Sequence, residues 1–71
     1  MEKIEMRFGH RMKELRLKQG ISQEELAFRC GLSKNYISDV ERGTRNISLK
    51  SIEKIASGFA VEIKELFDFK Q

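Results

Sequence analysis

The sequence predicts an all-α fold of five short helices, and three observations lead to this class. Apolar residues recur every three to four positions along most of the chain, which is the spacing of one helix face. No segment sustains the alternation of apolar and polar residues that indicates a strand. The 71 residues include no proline, so every position keeps the backbone N–H that a helix interior requires.

The first helix is predicted from about Met6 to Gln19. Its residues Phe8, Met12 and Leu15 follow one another at intervals of four and three, so they share one face and are expected to point into the core. Gly20 comes next, and a glycine there supplies the left-handed conformation in which many helices end.

Two shorter helices follow, and each is preceded by a serine that can cap its N-terminus. Ser22 precedes the second helix, Glu25 three positions later completes the pattern of a capping box, and the helix is predicted to stop at Gly31. Ser33 precedes the third helix, which is predicted to stop at Gly43.

The last third of the chain is predicted to contain two more helices. Ser48 is expected to cap the fourth, with Gly58 lying beyond its end. The residues expected to face inward from this helix are Leu49, Ile52, Ile55 and Ala56. A last short helix is predicted from about Glu62 to Phe67.

Three residues indicate how the second and third helices meet. Ala27 lies in the middle of the second helix, Gly31 in the bend and Ile37 in the third helix. Helices that cross at about 90–120° through a tight turn approach closely, so the crossing requires a small side chain and the bend a residue that tolerates positive φ. The segment from about residue 22 to residue 42 is therefore predicted to be a helix-turn-helix.

The third helix carries many side chains that donate or accept hydrogen bonds. They fall on one continuous face of the helix and are Lys34, Asn35, Ser38, Asp39 and Arg42. Lysine contacts guanine, asparagine contacts adenine and aspartate contacts cytosine through the major groove. Any amphipathic helix has a polar face, but the helix-turn-helix spacing favours a DNA-reading surface over a solvated one.

At these residues the sequence resembles the lambda-repressor-like, or Xre-type, helix-turn-helix family. The resemblance runs from "FGHRMKELRLKQGISQEELA" through "GLSKNYISDVERGTRNISLKSIEKIA" to "VEIKELF". It implies a single five-helix DNA-binding domain over residues 1–71. The run "KNYISDVERGTRNISLKSIEKIA" is most similar to restriction–modification controller proteins, which are small dimeric regulators. A phage-type repressor, or an antitoxin whose main partner is a toxin protein, is the alternative.

The family pattern also implies roles for individual residues. The residues expected to contact bases are Lys34, Asn35, Ser38 and Asp39. Those expected to contact DNA phosphates are Gln23, Ser33, Tyr36, Arg42, Arg45 and Asn46. Arg16 and Glu41 are expected to form a structural ion pair. Controller proteins typically carry arginine and threonine where this chain has Lys34 and Asn35, so its operator sequence is not implied.

The C-terminal part of the chain holds more large apolar residues than so small a core requires. Phe59 is assigned to the core. The residues expected to form a homodimer interface, within about residues 61–69, are Ile63, Leu66, Phe67 and Phe69. A two-fold dimer would place two recognition helices on a palindromic operator in double-stranded DNA. RNA polymerase is a further possible partner, since Glu24 and Glu25 lie where some members of the family touch it.

Charge and composition exclude other classes. Residues 1–50 hold 11 Lys and Arg against 7 Asp and Glu, whereas residues 51–71 hold 3 against 4, which favours an anionic partner at one end. An enzyme, a cofactor and a metal site are not expected, because His10 and Cys30 are the only residues of their types. No leader or membrane-spanning run is visible and no internal disulfide can form, so the chain is expected to be cytoplasmic.

Overall fold

The computed structural model describes residues 2–69, and all regular structure in this range is helical. The α-helices are α1 (Ile4–Lys18), α2 (Gln23–Cys30), α3 (Lys34–Glu41) and α4 (Leu49–Phe59), followed by a 3-10 helix (Ile63–Phe67). The predicted all-α class is confirmed. The predicted last short helix is present, but it is a 3-10 helix, so residues 2–69 contain four α-helices and not five.

The three serines predicted as caps are confirmed. Their hydroxyls accept the backbone N–H of the residue three positions later at 3.0–3.1 Å; they are Ser22, Ser33 and Ser48. The capping box predicted at the start of α2 forms only its serine half. The carboxylate of Glu25 instead accepts a hydrogen bond from Arg29 Nε at 2.9 Å, one turn along the exposed face of α2.

The predicted end of the fourth helix is wrong. Gly58 lies inside α4, and the left-handed residue that ends this helix is Ala60, with φ of 59°. Gly58 is required for packing instead, since a Cβ atom there would lie 2.4 Å from the sulfur of Cys30 on α2. This contact buries Cys30, and burial raises the pKa of its thiol to about 11.

The inward face predicted for α4 is correct at Ile55 and Ala56, which are buried, but wrong at Leu49, which is 84% exposed. Leu49 is the first residue of α4, and this helix of eleven residues is longer than the eight-residue α2 against which it packs. Leu49 is therefore left uncovered, whereas Ile52, three positions later, is half-buried against the core.

Each of the five elements contributes one completely buried side chain to a common core. These side chains, all at 0% exposure, are Met12, Leu26, Ile37, Ile55 and Leu66. The prediction that Leu66 belongs to a dimer interface is therefore wrong. The 3-10 helix has no other buried residue, so Leu66 is its one side chain in the core.

α1 approaches α3 closely at Gly9. A Cβ atom at this position would lie 2.4 Å from the carbonyl oxygen of Val40 and 2.7 Å from that of Glu41. Main-chain atoms cannot move aside as a flexible side chain can, so only glycine permits this contact. α1 therefore lies directly against the C-terminal end of α3.

Candidate nucleic-acid interface

α2 and α3 form the helix-turn-helix that the sequence predicted. Ala27 is 4% exposed at the crossing, Ile37 is completely buried beneath it, and Gly31 adopts φ of 70° in the bend. The N–H of Leu32 closes the turn by donating to the carbonyl of Ala27 at 2.9 Å. This packing fixes which side of α3 faces outward.

The N-terminal end of α3 presents two side chains that are available for a ligand. Lys34 and Asn35 are exposed, and neither makes a hydrogen bond or ion pair with any of residues 2–69. Ile37 and Val40 lie on the opposite side of the helix and are buried. The two polar side chains that begin the recognition helix are thus aimed at solvent by the core beneath them.

The other two predicted base contacts are already engaged in the protein. The carboxylate of Asp39 pairs with Arg42 and also accepts from Arg45 Nε at 3.4 Å. The hydroxyl of Ser38 accepts from Arg42 Nη1 at 2.8 Å. Asp39 therefore lies at the centre of a small charged cluster on the exposed side of α3.

The loop after α3 continues this cluster. The guanidinium of Arg45 lies 4.6 Å from the centre of the Tyr36 ring, so the arginine is stacked on the aromatic face while it contacts Asp39. Arg42, Arg45 and Asn46 are all exposed. Arg42 and Arg45, two of the predicted phosphate contacts, are thus adjacent to the polar face of α3 through Asp39.

A buried ion pair lies behind the recognition helix. Arg16 donates to both carboxylate oxygens of Glu41, from Nε at 2.7 Å and from Nη2 at 3.2 Å, and the two residues are each 9% exposed. Gln23 Nε2 donates to the same carboxylate at 3.0 Å, and Arg16 also donates to the carbonyl of Ile21 at 3.0 Å. These bonds connect α1, α2 and α3 and leave Glu41 no role on the exposed surface.

The predicted interface residues of the C-terminal part lie on a second surface. Ile63 and Phe67 are 47% and 39% exposed, and Phe69 is half-buried. The Phe67 ring packs against Phe8 of α1, with 5.2 Å between centroids, and against Phe69 at 6.0 Å. Without Leu66, Phe67 and Phe69 remain in contact at this surface, and Ile63 is exposed at the start of the same 3-10 helix.

Arg11 is a residue that the sequence reasoning missed. It is only 8% exposed, and its Nε donates to the main-chain carbonyl of Glu65 at 2.8 Å. Its Nη1 donates to Glu14 at 2.8 Å, and its Nη2 lies 4.0 Å from the carboxylate of Asp68. The available signal was its position within the apolar stripe of α1, three residues after Phe8.

Comparison with known proteins identifies the family. A family model described as helix-turn-helix matches residues 12–66, a range that includes α2, α3 and α4. The chain belongs to this helix-turn-helix family. Among curated relatives, the control protein C.BamHI of Bacillus amyloliquefaciens is 52% identical over 67 residues, which is 93% of this chain and 83% of that protein. The control protein C.MunI of a Mycoplasma species is 43% identical, over 94% of this chain and 92% of that protein.

The similar solved structures include restriction–modification controller proteins. The restriction–modification controller protein C.AhdI from Aeromonas hydrophila superposes with a TM-score of 0.88 at 48% identity, covering 90% of this chain and 97% of that one. The wild-type controller protein C.Esp1396I has a TM-score of 0.86 at 34% identity, covering 96% and 87%. These relatives are regulators and not enzymes.

Two further features, a metal-binding cluster and a membrane-spanning helix, are absent from the described part of the chain. Residues 2–69 contain no group of three or more side chains that could hold a metal ion. None of the helices in that range is both long enough and apolar enough to cross a membrane.

Proposed function

We propose that this helix-turn-helix protein is a sequence-specific transcription regulator of the restriction–modification controller type. We propose that residues 1–71 form one DNA-binding domain, which binds a palindromic operator in double-stranded DNA as a homodimer. The observation that carries the proposal is the N-terminal end of α3, where Lys34 and Asn35 are exposed and unpaired within residues 2–69.

In this proposal the exposed face of α3 reads bases in the major groove. Lys34 donates to the O6 and N7 atoms of a guanine, and Asn35 makes a two-point contact with an adenine. Ser38 and Asp39 complete the face, with Asp39 accepting from the N4 amino group of a cytosine. Because Asp39 pairs with Arg42 and Arg45 in the protein alone, reading by Asp39 requires these arginines to turn away, and DNA phosphates offer them that alternative.

Phosphate contacts fix the recognition helix on the DNA backbone. The proposed contacts are Gln23, Ser33, Tyr36, Arg42, Arg45 and Asn46, which lie at the start of α2 and at both ends of α3. Gln23 already donates to Glu41, so it would connect the DNA backbone to the buried ion pair behind α3. Neutralised phosphates release counterions, so the affinity should fall steeply as salt is added.

Two copies are needed for useful specificity. One recognition helix supplies only a few base contacts, each contributing about 1–3 kcal/mol of discrimination. Joining two helices through the surface of Ile63, Phe67 and Phe69 makes binding of the second half-site intramolecular. A two-fold axis there would place the recognition helices about 34 Å apart, one turn of DNA.

The regulator would act by occupying DNA near a promoter in the cytoplasm, without a cofactor or metal. RNA polymerase is a proposed further partner through the start of α2. Glu24 is exposed and makes no ion pair or hydrogen bond with residues 2–69, whereas the carboxylate of Glu25 is neutralised by Arg29. Glu24 is therefore the better candidate for a contact with a basic surface of polymerase.

The decisive experiment selects bound duplexes from a random DNA pool and then measures affinity for the selected sequence and for a scrambled one. The wild-type protein should enrich a palindrome. Lys34→Ala or Asn35→Ala should lower discrimination about tenfold or more, because each removes a base contact. Arg45→Ala should weaken binding to both duplexes and lower the salt slope by about one.

Lys54→Ala is the matched control, since Lys54 is an exposed lysine on α4 with no proposed DNA contact. It should leave discrimination unchanged. If the Lys34→Ala and Asn35→Ala variants discriminate as the wild type does, α3 does not read bases as proposed. If the pool yields no preferred sequence, the protein is not a sequence-specific regulator.

A further inference from the structure

α1 contacts both surfaces to which the proposed function assigns a role. On one side, Gly9 lies against the main chain of α3 at Val40 and Glu41. On the other side, α1 packs against residues 61–69, called here the C-terminal segment, through Phe8 and Arg11. α1 therefore connects the recognition helix to the C-terminal segment.

The C-terminal segment has little regular structure of its own to keep it in place. Its 3-10 helix has five residues, and a single short turn is not stable in isolation. Its capping box, formed between Glu62 and Glu65, is exposed to solvent. The position of the segment must therefore depend on its contacts with the rest of the domain.

Among these contacts, the one made by Arg11 is directional. Leu66 and Phe67 contribute apolar contacts, which hold a segment close but only loosely fix its rotation. The guanidinium of Arg11 is buried and donates from Nε to the carbonyl of Glu65 at 2.8 Å. Its other two nitrogens face the carboxylates of Glu14 and Asp68. A buried cation bonded in this way defines the path of the main chain.

We propose that Arg11 is a positioning residue for the homodimer interface. Through the carbonyl of Glu65 it fixes the segment that presents Ile63 and Phe67, and it does so from the helix that also contacts α3. This role rests on the homodimer of the proposed function. Arg11 itself is buried within its own protomer and contacts neither DNA nor the second copy.

A two-fold interface amplifies this effect. Each protomer must present its segment in the conformation that docks, so the docked fraction enters the dimer dissociation constant once for each copy. If loss of the Arg11 contacts lowers that fraction to about one third, the apparent Kd rises about tenfold. A residue that only contributes to overall stability would not change the Kd of the folded protein in this way.

The test compares Arg11→Met with Arg29→Met in the full chain. Methionine has a similar length and no donors. Arg29 is an exposed helical arginine paired with Glu25 on its own helix and has no proposed dimer contact. Sedimentation equilibrium measures the dimer Kd. Amide hydrogen exchange, measured where the protein is monomeric, reports on residues 63–69 separately from α2 and α3.

For Arg11→Met we expect a Kd raised about tenfold and faster exchange confined to residues 63–69, with wild-type behaviour for Arg29→Met. A folded Arg11→Met variant with an unchanged Kd would overturn the positioning role, as would faster exchange spread evenly over all helices. If the Arg11→Met variant does not fold, the Arg11→Lys variant is measured in its place. Lysine keeps the charge but not the planar fork, so its Kd should still rise, and a wild-type Kd would also overturn the role.

The wild-type protein separates this proposal from the one on which it depends. If it sediments only as an 8.3 kDa monomer at tens of micromolar, the homodimer is wrong and the role of Arg11 in it is wrong too. If it dimerises and the Arg11 variants dimerise equally well, only the role of Arg11 is wrong.

Discussion

The helix-turn-helix and the C-terminal segment are the two surfaces proposed to act, and they are kept in place differently. α2 and α3 carry their own end signals, with serine hydroxyls at their N-termini and Gly31 and Gly43 in left-handed conformations after them. The C-terminal segment has one short 3-10 helix and is held to the domain by buried Leu66 and by contacts with Phe8 and Arg11 of α1.

The difference shows that α1 supports both surfaces. It pairs with α3 through Arg16 and Glu41 and contacts it at Gly9. The residues of α1 that contact the C-terminal segment, Phe8 and Arg11, lie within two positions of Gly9. A substitution can therefore affect the helix-turn-helix without the C-terminal segment, or the reverse, only at a residue that supports one of the two. Substitutions in each region distinguish the contacts that support the helix-turn-helix from those that support the C-terminal segment.

The largest effect is expected for Glu41→Gln, on the helix-turn-helix side. This change removes the negative charge beside buried Arg16 and leaves an uncompensated cation, which should cost about 3–5 kcal/mol of unfolding free energy. Urea unfolding measures it. Glu25→Gln, in the exposed pair with Arg29, is the matched control and should cost less than about 1 kcal/mol. Equal losses of unfolding free energy in the two variants would mean that the buried pair contributes no more to stability than the exposed pair.

A slightly smaller effect is expected for Leu66→Ala, on the C-terminal side. Removing this completely buried side chain should cost about 2–5 kcal/mol in urea unfolding of the monomer. Phe67→Ala removes a neighbouring side chain that is 39% exposed, so it should cost the monomer less but weaken dimerisation in sedimentation experiments. If Phe67→Ala leaves the dimer Kd unchanged, the surface has been assigned to the wrong partner.

Gly9→Ala tests the contact between α1 and α3. In an exposed helix this replacement would add up to about 1 kcal/mol of stability. Here the new methyl group would meet the carbonyl oxygens of Val40 and Glu41, so a loss of about 1–3 kcal/mol is expected. Thermal or urea unfolding measures the sign of the change in unfolding free energy. A variant more stable than the wild type would show that α1 and α3 are farther apart.

The smallest effect concerns Cys30 and appears only at alkaline pH. Burial raises the pKa of this thiol to about 11 from an ordinary value of 9.0, so the folded state disfavours the thiolate. The resulting stability is fully present below pH 9 and is lost as the pH rises toward 11. The difference in unfolding free energy between wild type and Cys30→Ala should therefore be constant up to pH 9 and should shrink above it. A difference that does not change between pH 8 and 11 would contradict this.

Much of the helix-turn-helix was predictable because its signals are local. The serine caps, the glycines after α2 and α3, and the spacing of Ala27, Gly31 and Ile37 each act within a few residues of the feature that they define. The exposed position of Lys34 and Asn35 follows from the same spacing, since the core side of α3 fixes its outer side. Whether these residues read bases is a prediction that the DNA selection will test.

The errors lie where a residue's role depends on a distant partner. Gly58 is a residue type that commonly follows a helix end, yet here it allows the close contact between α4 and Cys30. Ala60 adopts the left-handed conformation that ends the helix. Leu49 has the spacing of a core residue, but no other element covers it. Periodicity gives the face of a helix and does not give the length over which a neighbour covers that face.

Local signals in the sequence specify where the helices lie, the helix-turn-helix and the polar face of α3, because caps, glycines and apolar spacing act through nearby backbone. The packing of the helices places Leu66 in the core, allows α1 to touch α3 at Gly9, and brings Arg11 to the carbonyl of Glu65. The last of these pairs is separated by 54 positions in the chain. Such contacts depend on how whole helices are placed against one another, which no local pattern of residues specifies.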